Sequence, residues 1–386
     1  MSSVLSNLQP HEKSINYISA KKVDSQHFNS HHVSVHDSVN LGYKYYHTLS
    51  SNTVGSVNTI SVPPSLHLLK YAVLSFKVQG ASSSSPILAD GFNLLARDKA
   101  IEIVLPGVSS NLTWSRNALR LFNMEHLHTK AKRDLQTQYA GNAVTLSAAK
   151  QYSFSIMIPL SHRDIPFPRY LLNDMKILTY FSNNNNLYSA NATSPLIISS
   201  KMIFYYNTIT QDSMVRSKSE PYTIAIVEPV TRQYSYTTSN TQLVPIVLNG
   251  LYQNNELSKI IVSSITSANW NGDNFFGVDV INSLLKVGSD VLYEYHEGAH
   301  KLRELFELGH DENNFTLGGS NRFFFSIHTS LDRTIQPKKV FSGIKMGTDP
   351  IIEIQDIDNA TAQTLDVHAF YNYVMEIHNG VAKIIK

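Results

Sequence analysis

The sequence predicts an all-β protein organised as two sandwiches in tandem, and three observations carry that expectation. Bulky residues alternate with small or polar ones in many short runs, such as Tyr71 to Val78 and Tyr152 to Ile158, as half-buried strands require. Turn-forming residues punctuate these runs, for example at Pro106-Gly107 and from Asn183 to Asn186. At 386 residues the chain is comfortable as two domains, each able to bury a real core. The polar stretch QDSMVRSKSE, Gln211 to Glu220, divides the strands into two sets.

Taken in order, residues 1–56 are polar and lack sustained periodicity, so an extended N-terminal arm is expected there. It carries His11, His27, His31, His32, His36 and His47, which would gain charge below pH ~6.5. Residues 57–210 read as a first sandwich, with strands at Tyr71 to Val78, Ala100 to Leu105, Tyr152 to Ile158, Met175 to Phe181 and Ile203 to Tyr206. Leu119, Phe122 and Leu127 sit near helical spacing, which predicts a helical excursion between Trp114 and Lys132. A linker follows at 211–221. Residues 222–386 form the second set, including Tyr222 to Val227, Leu243 to Leu248, Leu257 to Ile265, Arg322 to His328 and a long strand after Thr364. Within it, Val280, Leu284, Val287, Val291 and Tyr295 recur at three- and four-residue steps, predicting a helical insertion near 277–309. No internal repeat is visible residue by residue.

Composition narrows the function. Charged residues make up 16%, low for a globular chain, while Tyr 20 and Phe 17 are plentiful. A low-charge, tyrosine-rich surface suits a protein that hides much of its outside against neighbours. A formal net charge of +2 gives no sign of a nucleic-acid partner held through phosphates. With Cys 0 there are neither disulfides nor thiolate zinc sites. No run approaches the roughly 18 apolar residues of a membrane span, and the first residues lack the basic start and apolar core of a signal peptide.

The stretch from Gln151 to Asn183 reads as strand, bend, short helical turn and strand. Pro159 ends the first strand, and Pro166 and Pro168 precede one or two helical turns over Arg169 to Asp174. Its residues Ile158-Pro159-Leu160 and Leu171-Leu172-Asn173-Asp174-Met175-Lys176-Ile177 resemble those of the double jelly-roll major capsid proteins. That family covers tailless icosahedral phages with internal membranes, archaeal viruses, virophages and nucleocytoplasmic large DNA viruses. The C-terminal segment Leu365 to Ala382, with Asn379 and Gly380 near its end, is similar to the closing strand of the same family. The resemblance implies two tandem eight-stranded jelly-roll β-sandwiches with short helical insertions. It further implies a structural, non-enzymatic capsid protein without cofactors, in which three copies form a pseudo-hexagonal capsomer. The implied partners are the chain itself, neighbouring capsomers, minor capsid or penton proteins, and an internal membrane reached by the arm. The implied location is the virion shell, after synthesis in the host cytoplasm.

One motif argues for an enzyme. His296-Glu297-Gly298-Ala299-His300 satisfies H-E-x-x-H, in which two imidazoles on one helix face hold zinc and the glutamate activates its water. Gly298 weakens the helix that this chemistry needs. The extended form fails as well, with Arg303 where a glycine belongs and Phe306 where a third histidine belongs. Other signals are thinner. Glu125-His126-Leu127-His128 would suit metal on a strand face but reads better as a polar edge, and Ser147-Ala-Ala-Lys150 lacks the companion motifs of an S-x-x-K enzyme. Sequons begin at Asn111, Asn191, Asn314 and Asn359. Trp114 and Trp270 could stack on sugars, so a glycan-binding attachment protein is the alternative reading, with core or loop packing the plainer fate of each Trp.

Overall fold

The structure, a computed structural model, describes residues 38–80, 87–88, 91–126, 144–145, 147–160, 166–183, 196–209, 221–236, 244–249, 256–266, 280–296, 325–328, 344–345, 349–356 and 363–385. The chain folds as two compact units. Unit 1 takes residues 1–126, 134–228 and 373–386; unit 2 takes 127–133 and 229–372.

Unit 1 opens with strands β1 (Ser38–Thr48), β2 (Val57–Ser61), β3 (Leu68–Gln79), β4 (Ile87–Leu88), β5 (Ile101–Val104) and β6 (Leu112–Trp114). Helix α1 (Arg116–His126) follows, then β7 (Val144–Thr145), β8 (Gln151–Ile158), β9 (Phe167–Pro168), β10 (Lys176–Tyr180) and β11 (Leu196–Ile209). One sheet runs β1-β11-β3-β8 and a second runs β2-β10-β5-β6, with β4 and β7 pairing apart. The inward residues alternate as the sequence predicts. Leu74, Phe76, Phe154, Ile156, Met202 and Phe204 of the first sheet are buried, as are Ile60, Ile101, Ile103, Trp114 and Ile177 of the second. The rings of Phe76 and Phe154, opposite each other across β3 and β8, lie 5.9 Å apart.

Ser115 starts α1, accepting a hydrogen bond from the Ala118 amide on its hydroxyl at 3.2 Å, as an N-cap serine does. Ala118, Leu119 and Phe122 form the helix's buried stripe, and Phe122 meets Trp114 edge-on at 5.1 Å. The helix therefore falls inside the excursion expected from Trp114 to Lys132; residues 127–132 lie outside the described set. The turns expected after Pro168 are a short 3-10 turn over Arg169–Leu171.

The remaining strands are β12 (Tyr222–Tyr236), β13 (Val244–Val247), β14 (Glu256–Thr266), β15 (Val280–Val287), β16 (Asp290–His296), β17 (Phe325–His328), β18 (Ile344–Lys345), β19 (Pro350–Asp356), β20 (Gln363–His378) and β21 (Val381–Ile385). They form a sheet β12-β20-β14-β17, joined by β18 and β21, and a sheet β13-β19-β15-β16. The core of unit 2 includes Ile246, Leu248, Leu257, Ile260, Leu285, Ile352, Val367, Ala369 and Phe370.

The duplication hidden in the residues is plain in the topology. Leaving aside the short strands β4, β7, β9 and β18 and the closing hairpin strand β21, each set has eight principal strands. Both arrange them first-eighth-third-sixth in one sheet and second-seventh-fourth-fifth in the other. That is the strand order of a jelly roll, and the chain has a double jelly-roll fold.

Two expectations require correction. The helical insertion near 277–309 is, over 280–296, a β-hairpin: Val287 pairs with Asp290 around Gly288-Ser289. Gly288 has φ 64, as the first position of a two-residue hairpin turn demands. The apolar residues here fall on both sides of the strand, with Leu285 buried and Leu284 half-exposed, and that blurred alternation mimics helical spacing. Residues 297–309 lie outside the described set. The expected arm, 1–56, also contains a strand: β1 pairs antiparallel with β11 from Ser38↔Ile209 to Thr48↔Lys201. Its polar composition disguised it, because much of it faces out. The expected linker at 211–221 lies outside the described residues up to 220.

Candidate functional site

The outer face of the β1-β11-β3-β8 sheet is the most distinctive surface in unit 1. Strand alternation sends Ala72, Leu74 and Phe76 inward, so Tyr71, Val73, Ser75 and Lys77 point outward. Cross-strand register then builds rows. Lys44 stands beside Tyr205, and Tyr205 beside Tyr71; Tyr46 stands beside Ile203, and Ile203 beside Val73. Tyr71 and Tyr205 stack with centroids 4.5 Å apart. The Lys44 ammonium lies 5.3 Å from the Tyr205 ring, and that of Lys201 lies 5.1 Å from the Tyr46 ring. Such contacts hold long side chains in place on a surface where they would otherwise swing. Burial pushes the Tyr71 hydroxyl pKa upward, and neighbouring Tyr205 adds to this, so the ring stays neutral. Tyr46 is 55% exposed and Leu196 53%, which leaves large apolar groups facing outward.

A second feature joins the two sequence segments that carry the capsid resemblance. Arg169 is buried, and its guanidinium donates to the Val62 carbonyl at 2.8 Å and the Leu172 carbonyl at 2.6 Å. Burial lowers its pKa, opposed by Asp174. This fixes a platform at Leu172-Asn173, onto which the C-terminal hairpin settles. The Asn173 amide donates to the Gly380 carbonyl at 2.9 Å, and the Ala382 amide donates to the Pro106 carbonyl at 2.7 Å. Asn379 (φ 51) and Gly380 (φ 83) form the two-residue turn of that hairpin, both with positive φ as an Asn-Gly turn prefers. A side chain at Gly380 would collide with Asn173, and Gly107 (φ 87) lies close against Ala382. The hairpin's Tyr373, Val374, Met375 and Ile377 are buried within unit 1.

The candidate chemical motifs disperse. His296 is the last residue of strand β16, so no helix presents it, and Glu297 and His300 lie outside the described residues. Among the described residues no group of three His, Asp or Glu side chains could hold a metal ion. Glu125 and His126 end α1 rather than sit on a strand edge, and His128 lies outside the described set. Ser147 belongs to a turn ahead of β8, accepting the Ala149 amide on its hydroxyl at 3.2 Å. Asn111 already donates its side-chain amide to Glu102 at 2.7 Å. Trp114 is a core residue at 1% exposure, so it offers sugars no face, and Trp270 lies outside the described residues. No described helix is long and apolar enough to cross a membrane. Sequence reasoning missed the Lys-Tyr face of β1 and β11, although the alternation Lys44, Tyr46, Thr48 was its signal.

Comparison with known proteins locates the fold. No family model matches the sequence, and no curated protein matches it. Solved structures do. PBCV-1 VP54, as fitted into a reconstruction of the virophage Sputnik, superposes with a TM-score of 0.65 at 10% identity, covering 90% of this chain and 98% of that one. The Faustovirus major capsid protein gives 0.56 at 9% identity, covering 97% and 98%. The mavirus major capsid protein gives 0.52 at 11% identity, covering 88% and 90%. These structures share the double jelly-roll fold with the chain along nearly its whole length.

Proposed function

We propose that this chain, which has the double jelly-roll fold of viral major capsid proteins, is itself the major capsid protein of an icosahedral virus. The observation that carries the reading is the pairing of two sandwiches of identical strand order in one chain, matched end to end by capsid proteins. Three copies would place six sandwiches around a ring and so form a pseudo-hexagonal capsomer. Neighbouring capsomers, minor capsid or penton proteins and an internal membrane reached by the N-terminal arm complete the proposed set of partners. The proposed location is the virion shell, following synthesis in the host cytoplasm. Function is then geometry: the chain contributes self-complementary surface rather than a reactive group.

The zinc-peptidase reading loses its structural basis because His296 ends a strand. The glycan-binding reading loses Trp114 to the core. Light scattering on the purified full chain should return the mass of three copies, and negative-stain microscopy should show hexagonal particles of matching size. A strictly monomeric protein at high concentration would overturn the proposal.

A further inference from the structure

We propose that the outer face of the β1-β11-β3-β8 sheet is the docking surface for a second copy of this chain, whose acidic second half supplies the opposing charge. The inference rests on the capsid reading and adds to it the face used and the chemistry that selects the partner.

The charge pattern identifies the occupant. Strands β1, β3, β8 and β11 contain Lys44, Lys70, Lys77 and Lys201 and not one Asp or Glu. The bias extends beyond them. Unit 1 holds 19 Lys and Arg against 14 Asp and Glu, a charge of +5, and unit 2 holds 13 against 16, a charge of −3. The two figures together give the whole chain's +2. A near-neutral protein therefore carries two oppositely charged halves, which attract between copies while like halves repel. A contact of one half with the other half of the next copy is head-to-tail, the kind that closes into a ring.

The described surface of unit 2 offers a counterpart. On the β13-β19-β15-β16 sheet, Leu284 stands between Glu294 and Glu353 across the strands. Val247 and Val291 on the same sheet are 45% and 50% exposed. Glu294 is exposed, while Glu353 is held by Lys286 at 2.6 Å. The exposed carboxylate of Glu294 beside exposed aliphatic groups matches lysines beside exposed tyrosines. Lys44 and Lys201 of the first face are already positioned over aromatic rings, which reduces the ordering cost of docking.

A basic, aromatic face could also attract single-stranded nucleic acid, and the test separates the two. Sedimentation of the full chain should show assembly weakened at least about tenfold in Lys44→Glu/Lys201→Glu and in Glu294→Lys. Lys383→Glu, at an exposed position of β21 in a different sheet, should assemble as wild type. Tyr46→Ser, which leaves the charges intact, should also weaken assembly, and unchanged melting curves confirm that each variant folds. Variants of the face that assemble like wild type overturn the assignment. So does an oligonucleotide that binds wild type and is lost from Lys44→Glu/Lys201→Glu with no change in assembled mass. Wild type that is monomeric at every concentration overturns the capsid reading as well, so the two failures are distinguishable.

Discussion

Glu102 lies on β5 beneath three donors. The Lys99 ammonium stands 2.6 Å from its carboxylate, the Tyr180 hydroxyl donates at 2.5 Å and the Asn111 amide at 2.7 Å. Burial alone would raise its pKa, but these hydrogen bonds prevail and hold it below the ordinary 4.5. A carboxyl with a depressed folded pKa stabilises the protein above its unfolded pKa and loses that contribution as pH falls through the folded value. Glu102→Gln should therefore cost about 1–3 kcal/mol at neutral pH, and thermal melts of the two proteins should converge well below pH 4.5. His368 works in the opposite chemical sense with the same sign. Fully buried on β20, with the Thr231 hydroxyl 3.0 Å from Nδ1, it is pushed down to about 4 by burial, against the pull of Asp366. The unfolded chain takes up its proton first, so stability is full above pH 6.5 and falls toward pH 4. The loss across that window should be on the order of 3 kcal/mol, and His368→Leu should flatten that part of a melting-temperature profile. Neither site was legible in the sequence, because Tyr180 and Glu102 are 78 positions apart and Thr231 and His368 are 137 apart.

Among the elements, α1 shows how a short helix completes a sheet. Strand β8 is an edge of its sheet, where unpaired backbone groups invite other strands. Asn123 of α1 occupies that edge: its amide donates to the Met157 carbonyl at 2.8 Å, and its carbonyl accepts the Met157 amide at 2.9 Å. Asn123→Ala should lower stability by about 2–3 kcal/mol and raise the tendency to aggregate, measured by melting and by turbidity. The two hairpin glycines make a paired comparison. Gly288 has φ 64 with nothing within 4 Å, whereas Gly380 has φ 83 and sits on Asn173. Gly288→Ala should cost about 1 kcal/mol in backbone strain, and Gly380→Ala measurably more in denaturant titrations. Strands with one clean buried face, such as β3 and β8, were legible from alternation alone. Hairpin β15-β16 was not, because adjacent Leu284 and Leu285 break the two-residue period, so that Gly288 reads as a weak point in a helix rather than as the turn between two strands.

At the scale of the whole molecule, tandem sandwiches were legible because length, turn spacing and the polar break agreed, while the membership of each unit was not. A reading along the chain assigns everything after residue 221 to the second sandwich, yet residues 373–386 belong to unit 1. Those residues bury Met375 and Ala382 there and hydrogen-bond to Pro106 and Asn173. Truncation after Asn372 should therefore expose unit 1 first, seen as lost hydrogen-exchange protection at β10 and around Leu172, with unit 2 less affected. Such long-range closure leaves no local mark in sequence. It also sets a timetable for biosynthesis. As the ribosome releases the chain, the earlier sandwich must wait with a vacant slot until the final hairpin emerges. A product terminated before Gly380 and Ala382 would leave Asn173 and Pro106 without those hydrogen-bond partners.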